Sequence, residues 1–162
     1  MSPQDPTPAF ERAFQVILRL EGVGVNPKNP DGYVNHVRDP GGETKFGISK
    51  KAFPTVDLAA LTRADALAIY WTHYWVPSYA EHLTWPLQVY HADAAVNQGL
   101  GRAMKFLAFT HDPGQYLAAR EGAYRTLAAT NPTAYFWLPA WLNRLRDLRV
   151  LAEASPALPP TV

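Results

Sequence analysis

Gly32-Tyr33-Val34-Asn35-His36-Val37-Arg38-Asp39-Pro40-Gly41-Gly42-Glu43-Thr44-Lys45-Phe46-Gly47-Ile48-Ser49 follows an amphipathic segment that closes on Glu21. Upstream, Phe10, Phe14, Ile17 and Leu18 fall at i, i+4, i+7 and i+8, which predicts a helix with one apolar face. Gly22 and Gly24 are natural stops for it, so Glu21 is expected at the helix end. Residues 22–32, rich in Gly, Asn, Asp and Pro, read as a loop. Tyr33-Val34-Asn35-His36 and Lys45-Phe46-Gly47-Ile48 are short strand candidates, joined through Asp39-Pro40-Gly41-Gly42 into a small hairpin lobe.

These parts suit the cleavage of a glycosidic bond. That reaction needs an acid to protonate the leaving oxygen and a second polar group to manage water or the developing cation. Glu21, after Leu18 and Leu20, is expected to be half-buried, which favours the protonated form an acid requires. Asp39, before Pro40-Gly41-Gly42, is expected in an open, hydrated turn where it stays ionised, with the Thr44 hydroxyl fixing a water. Gly41 and Gly42 would let a sugar approach the backbone closely. From residue types alone, a helix-ending glutamate and an ordinary turn remain the competing explanation.

The rest of the chain predicts helices. Thr62 and Asp65 have the spacing of a capping box ahead of a helix that runs through Tyr70, Trp71, Tyr74 and Trp75 and ends at Pro77. Further helices are expected at about 86–97, 101–110, 114–128 and 133–152, separated by Gly99, Gly101, Pro113 and Asn131-Pro132. The expected architecture is mainly α with a small β-hairpin lobe, in one body, since 162 residues bury one core and are too few for two enzyme domains. The Pro-rich ends, residues 1–8 and 153–162, are expected to be flexible.

Composition excludes several chemistries. A formal charge of +1 gives no footprint for nucleic acid. The absence of Cys removes disulfides, thiolate metal sites and a Cys nucleophile. His36, His73, His82, His91 and His111 show no His-Glu-x-x-His pairing, so no metal and no cofactor are expected; there is no Gly-x-Ser-x-Gly elbow. No stretch approaches the roughly eighteen apolar residues of a membrane span, and the first residues lack the pattern of a signal peptide, so synthesis in the cytoplasm is expected. Residues 101–162 hold 7 Lys/Arg against 4 Asp/Glu; Arg144, Arg146 and Arg149 read as a solvated helix face, with contact to an anionic wall polymer as the alternative. Trp137, Trp141 and Leu145 repeat at fours and read as core.

Glu21-Gly22, Gly32-Tyr33-Val34-Asn35-His36, Asp39-Pro40-Gly41-Gly42-Glu43-Thr44 and Phe46-Gly47-Ile48-Ser49 resemble the catalytic motif of glycoside hydrolase family 108, N-acetylmuramidases of phages and bacteria often found in endolysins. Ala68-Ile69-Tyr70, Tyr74-Trp75 and Asp93-Ala94-Ala95-Val96-Asn97-Gln98-Gly99 are weaker matches, and residues 93–152, with Trp141-Leu142-Asn143-Arg144, resemble a peptidoglycan-binding helical segment of the same proteins. The resemblance implies a lysozyme-like α+β fold with a catalytic region over 9–92 and a peptidoglycan-binding-like region over 93–152 packed in the same body. It implies a bacteriolytic, antimicrobial endolysin of bacteriophage origin, a monomer released to the cell wall by a holin. Glu21 would protonate the oxygen between N-acetylmuramic acid and N-acetylglucosamine, with Asp39 and Thr44 orienting water and inversion as the favoured outcome. Tyr33, His36, Gly41, Gly42, Tyr74, Trp75 and Asn97 are the substrate-site candidates. In the family pattern the glutamate runs almost directly into Gly-Gly-Tyr, whereas here residues 23–31 intervene and add Asp31 as a rival carboxylate; this loop is expected to bulge outward. A lytic transglycosylase, a chitin-type hydrolase and a non-catalytic wall-binding or export-accessory protein are the alternative readings.

Overall fold

The computed structural model describes residues 6–35 and 42–155. Helix α1 spans Pro8–Leu20, opened by the Thr7 hydroxyl, which accepts from the Phe10 N–H, and by Pro8 in the first turn. The Thr7 hydroxyl also donates to Glu81 at 2.7 Å, so order begins before the expected boundary at residue 9. Its apolar face is the expected one: Phe10, Phe14, Ile17 and Leu18 are all buried.

A two-stranded antiparallel sheet follows, β1 (Thr44–Lys45) and β2 (Ile48–Ser49), with Thr44 opposite Ser49 and Lys45 opposite Ile48. The expected second strand is therefore broken in its middle. Phe46 and Gly47 both have positive φ, 51° and 75°, and form the two-residue turn whose twist matches the strands it joins. Val34 pairs with Thr44 in an isolated bridge, so the segment before the motif does lie against the sheet.

Helix α2 (Arg63–Tyr70) starts at the Thr62–Asp65 capping box. Its continuation is a π-helical turn over Trp71–Trp75 and a short α3 (Val76–Ser78), so Pro77 sits inside the last turn and the chain leaves the helix at Tyr79. A 3-10 turn, Ala80–His82, leads into α4 (Leu87–Asn97), α5 (Leu100–Phe109), α6 (Pro113–Thr130) and α7 (Pro132–Ala154). Helix α4 is buried along its length from Leu87 to Ala95, which makes it the central element. It packs against α1, the π-turn, α5, α6 and α7. The expected boundary between residues 92 and 93 falls within this buried helix.

The aromatic stripe divides by register. Phe10 meets Trp71 and Trp75 edge-on at 5.0 and 5.5 Å, and Phe14 meets Tyr70 at 5.2 Å. Trp75, only 1% exposed, donates its indole N–H to Glu81 at 2.8 Å and belongs to the core; it is not a substrate platform. Trp137, by contrast, is 50% exposed, so only Leu145 of the 137–141–145 series is buried as expected. No helix among the described residues is long and apolar enough to cross a membrane.

Candidate active site

Glu21 is fixed from its backbone outward. It caps α1, and the chain then reverses through Gly22 (φ 77°), with Val23 N–H donating to Leu18 O at 2.9 Å and Gly22 N–H to Arg19 O at 3.0 Å. This is the Schellman pattern, completed by the burial of Val23. The side chain of Glu21 then leaves a rigid helix end in one direction.

Two surfaces receive it. On one side stands the Phe46–Gly47 turn: a Cβ placed on Gly47 would lie 2.7 Å from Glu21 Cγ and 2.6 Å from Tyr70 Oη, so no residue with a side chain fits there unchanged. Tyr70 donates to Phe46 O at 3.2 Å and pins the turn. Burial, and then the charge of Glu21, push the Tyr70 and Tyr74 phenols up, so both are neutral donors beside the carboxylate.

On the other side is Arg144 of α7. Its Nη2 donates to Glu21 Oε1 at 2.7 Å and to Asp93 Oδ1 at 2.7 Å. The Glu21 side chain is 25% exposed and that of Arg144 13%, while Asp93 and Arg120 are 0% exposed. Arg120 Nη2 donates to Asp93 Oδ2 at 2.8 Å. Burial pushes the Asp93 carboxyl up, but Arg144 and Arg120 outweigh it and hold the group below the usual carboxylate value. Burial likewise works against the Arg144 charge, yet Asp93 and then Glu21 hold its pKa above the usual arginine value. Arg144 is thus not part of a solvated face; of the expected trio only Arg146 and Arg149 are exposed.

The other candidates are distributed around this centre. Thr44 opens β1 and is half-buried, its N–H donating to Val34 O at 2.8 Å, two residues before the turn that touches Glu21. Tyr33 is half-buried, its hydroxyl donating to Glu43 at 3.0 Å. Gly42 has φ 70° and leads into the sheet. Tyr74 is half-buried, between Tyr70 and Phe53. Asn97 is exposed and accepts from the Tyr124 hydroxyl. His36, Asp39 and Gly41 lie outside the described residues. Asp31, the rival carboxylate, is committed to the loop: its Oδ1 accepts from Tyr33 N–H at 3.2 Å, its Oδ2 faces Lys45 at 3.6 Å, and its carbonyl accepts from Phe46 N–H at 2.9 Å. The inserted segment closes on itself through Gly24 N–H to Pro30 O at 2.9 Å, with Val25–Lys28 exposed, which matches the expected outward bulge.

A cleft of about 870 Å³ is lined by Leu20, Gly24, Val25, Asn97, Trp141 and Arg144 among others. Trp141 is stacked on Tyr124 at 4.8 Å, which fixes its ring as a platform. Sequence reasoning placed Trp141 and Arg144 in a peptidoglycan-binding-like segment and Asp93 among the weaker family matches, but joined neither them nor Arg120 to Glu21's surroundings. An aspartate in the apolar run Ala92-Asp93-Ala94-Ala95 was the available signal, since a buried charge demands a partner. Among the described residues no cluster of His, Asp and Glu could hold a metal ion.

Residues 14–99, more than half of the 162, match the family model described as Glycosyl hydrolase 108. The chain belongs to this family. It is a glycoside hydrolase, and the family makes peptidoglycan its substrate polymer. The fold is similar to that in "Structure of Brucella abortus SagA", with a TM-score of 0.69 over 90% of this chain and 94% of that chain at 22% identity, a likeness of fold. None of the curated proteins matches the chain in sequence. The architecture is the lysozyme-like α+β one.

Proposed function

We propose that the hydrolase is an N-acetylmuramidase that cleaves the bond between N-acetylmuramic acid and N-acetylglucosamine, with Glu21 as the general acid. The supporting observation is the fixed, partly exposed Glu21 carboxyl at the end of α1, wedged between the Gly47 turn and Arg144. A proton donor must be held still yet reach substrate, and this arrangement meets both needs. Asp39 and Thr44 are assigned to the attacking water. Thr44 favours this by its place on the strand that feeds the turn against Glu21. The Trp141 cleft is assigned to the glycan, because a fixed indole face flanked by Asn97 matches the apolar face and polar edge of a sugar ring.

Mass spectrometry of peptidoglycan digested by the parent, Glu21→Gln and Asp39→Asn tests the proposal. Reducing muramic-acid ends are expected from the parent. Glu21→Gln should lose about three orders of magnitude or more in rate, because an amide has no proton to give. Digestion by Glu21→Gln at the parental rate overturns the assignment, and anhydro-sugar ends would point to a transglycosylase.

A further inference from the structure

We propose that Arg144 is the positioning residue for Glu21 and that buried Asp93 and Arg120 hold Arg144 in place, so that the last two helices complete the catalytic centre. The inference rests on Glu21 being the acid.

The chain of support is continuous. Arg120 spends all three of its nitrogens on fixed acceptors: Nε on Gln98 Oε1 at 2.7 Å, Nη1 on Tyr90 O at 3.1 Å and Nη2 on Asp93 Oδ2 at 2.8 Å. Asp93 therefore cannot rotate without stranding a buried guanidinium. Its second oxygen receives Arg144 twice, from Nη2 at 2.7 Å and Nε at 3.2 Å. The remaining hydrogen on Arg144 Nη2 is the one given to Glu21. Glu21, at 25% exposed, is the most accessible member of the cluster, whose other end is sealed.

Two further observations separate this from ordinary packing. Replacing a buried ion network by apolar groups of similar volume is often neutral or stabilising, so a core needs no such cluster for its own sake. The charges also balance in a way that fits the chemistry. Two arginines cancel Asp93 and an ionised Glu21, whereas a protonated Glu21 leaves the cluster with one net positive charge. When the Glu21 O–H bond breaks, an O–H bond forms on the leaving sugar oxygen, the glycosidic C–O bond breaks, and the new carboxylate meets Arg144. The donation thus ends in the electrostatically favoured state. The other groups facing Glu21, Tyr70 and Tyr74, are neutral phenols, so Arg144 is the cation in contact with it among the described residues. Arg120 and Arg144 lie beyond the 14–99 segment that the family model matches, so the family segment supplies the acid and α6 and α7 supply its support.

Arg144→Met, Arg144→Lys and, as a control on the exposed face of α7, Arg146→Met are compared by thermal unfolding and by kcat and KM on soluble peptidoglycan fragments. Arg144→Met is expected to lose about thirtyfold or more in kcat, with KM within about threefold. Arg144→Lys keeps a charge but cannot span both carboxylates; it is expected to recover part of the loss, to about a tenth of the parental kcat. Arg146→Met should match the parent. A folded Arg144→Met with parental kcat, or a loss confined to KM, overturns the inference. Should Arg144→Met fail to fold, Arg144→Lys decides, and a parental kcat there overturns it. Glu21→Gln run alongside separates the two assignments: an active Glu21→Gln removes the acid itself, while an inactive Glu21→Gln beside a parental Arg144→Met removes only the role of the arginine.

Discussion

Glu21 has two faces, and they are built on opposite principles. Toward the sheet, the contact is made by absence: Gly47 has no Cβ, and Glu21 and Tyr70 occupy the space where one would be. Toward the helices, it is made by charge, through Arg144 and the sealed Asp93–Arg120 pair. The first face sets distance and tolerates no added atom. The second sets direction and tolerates no lost partner. A rigidly held carboxyl group emerges from combining them, since neither a gap nor an ion pair alone fixes both position and orientation.

Breaking the helical face should have the largest effect on stability. Asp93→Ala leaves the buried Arg120 guanidinium uncompensated and Arg144 with Glu21 alone, and a loss of about 3–5 kcal/mol is expected in denaturant unfolding. A loss under about 1 kcal/mol would show that solvent reaches the cluster. On the sheet face, Gly47→Ala adds a Cβ at a positive φ and against Tyr70 and Glu21; a cost of about 1–3 kcal/mol is expected, with a larger fractional loss of activity than of stability. Equal activity in Gly47→Ala would show that the turn can retreat from Glu21. Outside both faces, Trp141→Ala removes the platform in the cleft, and KM should rise about tenfold with kcat little changed; an unchanged KM places the glycan elsewhere.

The smallest expected effect is a pH dependence within the helical half. His91 is fully buried, between the Tyr116 hydroxyl at 2.7 Å and Ser78 O at 2.9 Å. A carbonyl only accepts, so Nε2 carries the proton and Nδ1 accepts from Tyr116. Burial lowers the His91 pKa, and the Ser78 hydrogen bond offsets only part of that. The unfolded chain, with His near 6.5, then binds more protons than the folded one below that value. Stability from this group is complete above about pH 6.5 and lost as pH falls below it. The melting temperature of the parent should decline below about pH 6.5 more steeply than that of His91→Gln, and parallel curves would exclude His91 as the cause.

What could be read from the residues was local. The Phe10–Leu18 face, the glycine stop after Glu21, the Thr62–Asp65 box and the limits of α4 to α7 each rest on neighbours a few positions apart, and each is present. The Phe46–Gly47 turn inside the expected second strand was not legible, because a left-handed phenylalanine runs against local preference; the expected approach of the 33–36 segment to the strand that begins at Thr44 is present in the Val34–Thr44 bridge. The π-turn left no mark either, since α and π windings carry the same residues over so short a run. Arg144 was misread for a different reason. Its partners are 51 and 123 positions away, and three arginines in six residues have the periodicity of a wetted surface whether or not one of them turns inward.

The pinch between Gly24 and Pro30 makes the inserted segment a closed side-branch with its tip in solvent. Such a branch can be lengthened or exchanged at small entropic cost, because its two ends stay pinned together. One of its walls, Val25, also borders the Trp141 cleft. Grafting other sequences onto 25–28 is therefore a route to reshape the mouth of that cleft while leaving the contacts of Glu21 untouched.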